Sequence, residues 1–529
     1  MKELEKQKNN QKNFPMILII LDGWGLAEPN KGNAIALAKT PTMDDLTKNY
    51  AFTSLEASAK HVGLPPSQDG NSEAGHMNIG AGRIAEQDVV RISKNINNGT
   101  FFKNPAFMEA IRHVEKNNSR IHLMGMLANN MSAHSDPDHL LALLTLLKKK
   151  GIKNVNLHLF TDGRDSPKYS SIKLIRELER SFTNGETINT IIGRFFAMDR
   201  KKKWSRTEKA YDALVLEKSG QCKNAVNAET AIMESYNSGK SDEFIEPYII
   251  AKNNTSLPRI QDNDSVIFFN LRSDRARQIA KVFVQDDFNK KNPGAFKRKK
   301  VLKNLRFVAM TDFGPDLDHI LSAFPSPDLV ETLPMQLSDL RQLYIAENEK
   351  YAHVTYFFNG GFSDPVANEA RMLISSPDVK SYDETPAMSS EKLTDTVIEN
   401  LKLNKFDFTV LNFAAPDMIG HTGNLTAAIE CCEAVDKCLK KIVDAYLKVD
   451  GTLLVTADHG NIEEMINLKT GEINTEHTTN QVPFIIVNKD SKNMIKLRKD
   501  GVLGDIAPTV LHLLGRERPK DMTRKSLII

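Results

Sequence analysis

The chain has 529 residues, more than one hydrophobic core usually holds, so a prior of roughly 150 residues per domain points to two large units. Apolar residues make up 40% and charged residues 26%, which excludes global disorder. The 70 Lys and Arg against 67 Asp and Glu leave a net +3, too weak a field to imply nucleic acid or a membrane surface as partner, so any anion site has to be local.

The first 14 residues are polar and carry no motif, and the apolar run that follows them is too short for a signal-peptide core. From there to the end, short β-rich runs alternate with helical patterns, the signature of an α/β fold with parallel sheets. Strands are predicted at 16–21, 155–160, 190–193, 266–270, 305–310, 354–358, 408–412 and 453–456, and helices at 138–149, 169–181, 205–216 and 425–447. Two stretches interrupt the alternation, the segment after Gly82–Glu86 and the proline-rich 313–334. They bracket a middle unit, which makes residues 1–86 and 325–529 one discontinuous domain with 87–324 inserted into it. No apolar stretch approaches the roughly 18 residues of a bilayer span. Four cysteines, Cys222, Cys431, Cys432 and Cys438, show no C-x-x-C spacing, so neither a disulfide framework nor a structural zinc site is expected, and a reducing, cytoplasmic compartment fits. The basic runs 148–150 and 297–300 read as solvated surface.

Ligand-type residues accumulate at predicted strand ends: Asp22 in LDGWG, Asp417 and His421 in APDMIGH, Asp458 and His459 in TADHGN, and His477 in TEHTTN. That is where open α/β sheets bind ligands. Asp417 and His421 are four apart and share a face if a helix begins there, and mixed carboxylate and imidazole donors suit Mn²⁺ or Zn²⁺ better than Ca²⁺. Singly, each has an ordinary explanation as a cap, a turn residue or a satisfied polar group. Jointly, six candidate ligands in one discontinuous domain are what a two-metal phosphoryl-transfer site needs. Ser72, in the glycine-flanked GNSEAGH, is the candidate nucleophile, activated by a divalent cation. The alternative, that Ser72 only caps a helix beginning at Glu73, stands beside it.

These residues resemble the cofactor-independent phosphoglycerate mutases of the alkaline-phosphatase superfamily. LDGWG, GNSEAGHMNIGAGR, TDGRD, GRFFAMDR, FFNLRSDRARQ, AENEKYAHVTYFFNGG, NFAAPDMIGHTG, TADHGN and TEHTTNQVPF occur in the family's order, from about residue 16 to the end. Two departures are visible: the family's V-H-S-H reads Ala133-His134-Ser135-Asp136, and its P-D-G-Q-M-G lead into the serine reads Pro65-Pro66-Ser67-Gln68-Asp69-Gly70. The resemblance implies an alkaline-phosphatase-like, metal-binding parallel-sheet domain with a second α/β, substrate-binding domain inserted into it. It implies two divalent cations, Mn²⁺ first and Mg²⁺, Co²⁺ or Zn²⁺ as alternatives, one on Asp417, His421 and His477, the other on Asp22, Ser72, Asp458 and His459. It also implies that Arg164, Arg194, Arg200, Arg272 and Arg275, with Lys350, hold the carboxylate and phosphate of the substrate. His134 and Asp165 would face the glycerate hydroxyls, Asp165 as general acid and base. For Arg200, an ion pair with the adjacent Asp199 is the competing explanation. The implied reaction is the glycolytic interconversion of 3- and 2-phosphoglycerate through a phosphoserine on Ser72, by a cytoplasmic monomer with a small-molecule substrate and no nucleic-acid or membrane partner. A sulfatase is excluded by the absence of its C/S-x-P-x-R motif, and a plain metallophosphatase would not need the arginines.

Overall fold

The computed structural model describes residues 15–66, 68–129, 132–252, 255–314, 316–317, 319–325, 328–489 and 495–529. The polar N-terminal tail, Ser67 and positions 315, 318, 326 and 327 of the proline-rich stretch lie outside the described residues. The chain divides into two compact units, one of residues 1–87 with 328–529 and one of residues 88–327.

The first unit is built on an eight-stranded sheet. In spatial order its strands are Ala370–Ile374, Gln342–Glu347, Phe408–Phe413, Met16–Leu21, Thr452–Thr456, Val482–Val487, Ala51–Glu56 and Gly501–Val502. Met16–Leu21, the sequence MILIIL, is buried at every position, as expected of a parallel strand covered on both faces. It pairs in parallel with Phe408–Phe413 on one side and Thr452–Thr456 on the other, with Leu21 opposite Phe413 and Ile20 opposite Thr456. Three neighbouring strands therefore run out together, and Asp22, Asp417 and Asp458 lie just beyond their ends. The helix Leu425–Lys448 packs on this sheet and buries Cys431, Cys432 and Cys438 as apolar side chains in the core.

The second unit carries its own sheet, ordered Ile320–Ser322, Arg306–Ala309, Ser265–Phe268, Ile121–Leu127, Asn156–Thr161, Thr187–Gly193, Tyr248–Lys252 and Lys223–Ala225, with Thr255–Ser256 paired to Tyr248–Lys252. Ile121–Leu127 and Asn156–Thr161 are buried throughout. Asp162–Asp165 and Arg194 follow directly on Asn156–Thr161 and Thr187–Gly193, so this sheet too delivers its charged residues at strand ends.

One expected strand needs correction. Residues 353–357 form a π-helical turn, His353–Phe357, instead of a strand at 354–358. A short apolar run has no period that separates a strand from a buried turn of helix, and here Val354 and Thr355 are the buried pair. Most strand pairs are parallel, as expected, with antiparallel exceptions: Val482–Val487 is antiparallel to both neighbours, and Tyr248–Lys252 is antiparallel to Thr187–Gly193. His477 thus precedes a strand. It reaches the carboxyl ends of the parallel strands because the strand after it runs the other way. Among the described residues no helix is long and apolar enough to cross a membrane. Leu18 is fully buried in the central strand, so Leu18→Ala is expected to cost the first unit about 3 kcal/mol, read as a lowered urea midpoint.

Candidate metal centre and anion-binding residues

Ser72 is the first residue of the helix Ser72–Ala81, and Asn71 is its cap, the Asn71 side chain accepting the Ala74 N–H at 2.9 Å. The capping alternative for Ser72 is thereby removed, because the orphan N–H is already served. The Ser72 hydroxyl is instead held 2.7 Å from Lys350 Nζ, 2.9 Å from His459 Nε2 and 3.3 Å from Asp22 Oδ1. Gly23, at φ 74°, lets the Asp22 loop approach the next strand end: a Cβ there would stand 2.8 Å from Asp417 Cα.

Two donor sets converge beside this hydroxyl. In the first, Asp417 lies in the short helix Ala415–Gly420 and His421 immediately follows it, so the four-residue spacing brings His421 Nε2 to 3.4 Å from Asp417 Oδ1. His477 Nε2 is 3.3 Å from the same oxygen and 3.1 Å from His421 Nε2. In the second, His459 Nε2 is 3.5 Å from both Asp22 Oδ1 and Asp458 Oδ2. His459 Nε2 is also within 4.0 Å of Asp417 Oδ1, so it borders both sets.

The imidazole tautomers follow from the backbone. Nδ1 of His421, His459 and His477 faces the carbonyl oxygens of Thr475, Gly460 and Gly70 at 2.8, 3.2 and 2.8 Å, which places the proton on Nδ1 and leaves each Nε2 a lone pair. His421 and His477 then present two acceptors to each other, and the buried Asp458 Oδ2 lies 3.1 Å from His76 Nδ1 and 3.5 Å from His459 Nε2. Converging lone pairs without a proton between them fit a cation, and this donor chemistry suits divalent ions.

Electrostatics agree with that arrangement. Lys350 Nζ donates to Asp22 Oδ1 and Asp417 Oδ2, each at 2.6 Å. Burial alone would depress the lysine pKa, but the carboxylates of Asp22, Asp417 and Asp458 outweigh it and hold the ammonium above its ordinary value. Asp22 is pushed up to about 7, by burial first and then by Asp458, with Lys350 opposing. Burial acts the same way on Asp417 and Asp458. There Lys350 with His421, and His459 with His76, prevail and keep both well below the usual carboxylate range.

In the second unit Arg194 is buried and its Nη1 donates to Asp162 Oδ1 and, at 2.7 Å, to Asp165 Oδ2. His134 Nε2 lies 3.8 Å from the same Asp165 oxygen. Burial, followed by the Arg194 charge, pushes the His134 pKa down to about 4, so it is neutral at pH 7. Arg200 does make a structural ion pair, with Asp274 at 2.8 Å and not with the neighbouring Asp199, which pairs with Arg206. Arg275 is lowered to about 10, by burial and then by repulsion from Arg194, Arg200 and Arg164. Desolvation lowers the half-buried Arg272 too, with Asp274 opposing. The arginines expected from the sequence therefore share one electrostatic neighbourhood. Lys350 is in the first unit, against Ser72.

Residues 14–518 match the Metalloenzyme superfamily. The 2,3-bisphosphoglycerate-independent phosphoglycerate mutase of Clostridium kluyveri is 47% identical over 97% of this chain and 99% of its own length. That of Methanosarcina acetivorans, phosphoglycerate mutase 1, is 48% identical over 98% and 99%. The chain belongs to the 2,3-bisphosphoglycerate-independent phosphoglycerate mutase family. A crystal structure of Leishmania mexicana phosphoglycerate mutase, determined at low cobalt concentration, shares the fold with a TM-score of 0.81, 31% identity and 98% coverage of both chains.

Other residues around this family's candidate site escaped the sequence reading. Asp162 organises the TDGRD turn, its Oδ1 accepting the N–H groups of Arg164 at 3.3 Å and Asp165 at 3.2 Å. An Asp before Gly is an Asx-turn signal, so this one was legible. Asp242 closes the other end of that loop by accepting Ser170 N–H at 2.9 Å and Ser171 N–H at 3.0 Å, across about 70 residues that leave no local trace. Asn412 Nδ2 donates to Asp22 Oδ2 at 2.7 Å and to His76 Nε2 at 3.0 Å. For His134 the sign of the pH dependence is direct: its folded pKa lies below the unfolded one, so the unfolded chain gains its proton first. The second unit should lose stability as pH falls from about 6.5 towards 4, and His134→Gln should flatten part of that slope, measured as the difference in urea midpoint between pH 7.5 and 4.5.

Proposed function

We propose that the chain interconverts 3-phosphoglycerate and 2-phosphoglycerate through a phosphoserine on Ser72, without 2,3-bisphosphoglycerate. The observation that carries this reading is the buried Ser72 hydroxyl, held by Lys350 between two converging donor sets, in a chain that also gathers five arginines. Residues 1–87 and 328–529 would serve as the metal-binding, phosphatase-like domain and 88–327 as the substrate-binding domain. Asp417, His421 and His477 would hold one divalent cation and Asp22, Ser72, Asp458 and His459 the other, and such cations supply charge neutralisation and a lowered serine pKa. Mn²⁺ is our assignment for both, on the mixed oxygen and nitrogen donors.

The side chains then have distinct tasks. Ser72 Oγ displaces the 3-oxygen of the substrate at phosphorus, in line. Lys350, kept as an ammonium, donates to Ser72 Oγ and so favours its alkoxide character and the charge of the transferring group. Arg164, Arg194, Arg200, Arg272 and Arg275 bind carboxylate and phosphate, where paired N–H donors match two acceptor oxygens. Asp165 protonates the departing 3-oxygen and takes the proton of the 2-hydroxyl on the return. Neutral His134 orients the glycerate. The arginine set must keep glycerate bound between the two half-reactions, and exclusion of water is what separates a mutase from a phosphatase. The same reading makes the protein a cytoplasmic, monomeric enzyme of glycolysis and gluconeogenesis.

Ser72→Ala is expected to keep the fold and substrate binding while lowering kcat by roughly a thousandfold or more. Quenched wild-type enzyme should yield phosphoserine at that position by mass spectrometry. Variant activity within tenfold of wild type removes Ser72 as nucleophile. Chelation should abolish conversion of 3- to 2-phosphoglycerate, and Mn²⁺ should restore it; full activity in protein shown metal-free by elemental analysis contradicts the two-cation mechanism.

A further inference from the structure

Glu463 is fully buried, and among the described residues it has no ion-pair partner. A buried carboxylate without a countercharge costs several kcal/mol unless hydrogen bonds compensate. Four donors do so here. Glu463 Oε2 accepts the N–H groups of Gly25 at 3.1 Å and Asn461 at 2.8 Å, and Oε1 accepts the Thr478 hydroxyl and, at 2.9 Å, Asn480 Nδ2. The backbone makes room for it: a Cβ on Gly25 would lie 2.2 Å from Oε1 and one on Gly460 2.3 Å from it. The second glycine of LDGWG and the glycine of TADHGN are therefore spaces for this carboxylate.

The donors come from different ligand-bearing segments. Gly25 is three residues beyond Asp22, Asn461 two beyond His459, and Thr478 and Asn480 one and three beyond His477. Asn461 extends the tie to the fourth segment, its Nδ2 donating to Asp417 Oδ1 at 3.0 Å. His477 sits outside regular secondary structure, and its segment also meets the Asp458–His459 loop through the bridge between Thr478 and Gly460 and the stacking of His477 on His459, ring centroids 4.0 Å apart.

We propose that Glu463 is a positioning residue that sets the spacing between the two donor sets, fixing the His477 segment against the segments of Asp22 and of Asp458 and His459. The inference rests on the two-cation reading above. Its chemistry makes a sharp distinction between near-isosteres. Glu463→Gln keeps the shape but removes the negative charge, and since only its carbonyl oxygen can serve the two backbone N–H groups, its N–H₂ must face Thr478 and Asn480, whose hydroxyl and amide have to turn to accept it and so re-set the contact with the His477 segment. Thr478→Val deletes one donor and leaves three in place.

The test uses the full chain, stripped of metal by chelation and titrated with Mn²⁺ by equilibrium dialysis and with Co²⁺ by visible absorption. Wild type should bind two cations. In Glu463→Gln the affinity of at least one should fall about tenfold or more, with an altered Co²⁺ spectrum, as for other outer-shell partners of metal ligands. Thr478→Val should move the same readouts in the same direction by less. Mn²⁺ affinities within twofold of wild type and an unchanged Co²⁺ spectrum in both variants overturn the inference, even if their melting temperatures drop, since a purely structural role predicts that pattern. If Glu463→Gln does not fold, Thr478→Val decides on the same criteria. Failure of wild type itself to bind either ion overturns the two-cation reading, and this inference with it.

Discussion

Three buried carboxylates, those of Asp22, Asp417 and Asp458, stand within reach of one ammonium group, Lys350 Nζ, and the first unit is organised around making that tolerable. Like charges in a low-dielectric interior repel strongly, and their desolvation is costly unless opposite charge and hydrogen bonds are supplied on the spot. The imidazoles, the Asn412 and Asn461 amides and Lys350 supply them. What remains is a surplus of electron pairs, the Nε2 atoms of His421, His459 and His477 beside the carboxylates, aimed into one small volume next to a serine hydroxyl. A site so built is poised for positive charge and, behind that charge, for a phosphoryl group.

The second unit solves the opposite problem. Burial and then mutual repulsion among its arginines hold Arg275 below its ordinary pKa, and Asp162, Asp165, Asp274 and Glu243 stand against the set as countercharges. The excess is positive and suits a small polyanion. Each unit therefore gathers charge of one sign, and in each buried carboxylates hold the surrounding loops: Glu463 accepts from the segments of Asp22, His459 and His477, and Asp162 and Asp242 brace the turn that carries Arg164 and Asp165. Rigid support of this kind is what a displacement reaction requires, because in-line transfer tolerates little misplacement.

Much of this was legible in the chain because it is local. The six apolar residues of MILIIL announce a doubly covered strand and Asp22 its end, and the four-residue interval between Asp417 and His421 brings both to one side of a helical turn. The motifs from LDGWG to TEHTTN carried the family and named the side chains that the fold brings together around Ser72. Where short apolar runs lacked a diagnostic period, as at 354–358, the reading failed.

By itself, then, the sequence determined the alternation of strands and helices, the residues of chemical interest and the family, since these depend on periodicity and on residue type at short spacing. The tertiary structure alone decided that Asn71 and not Ser72 caps its helix, that Arg200 turns to Asp274, that His477 arrives just ahead of an antiparallel strand, and that Glu463 gathers four donors. Those outcomes depend on which strands become neighbours and in which direction they run. Pairing across hundreds of residues is set by the burial of whole sheets, and no local spacing encodes it.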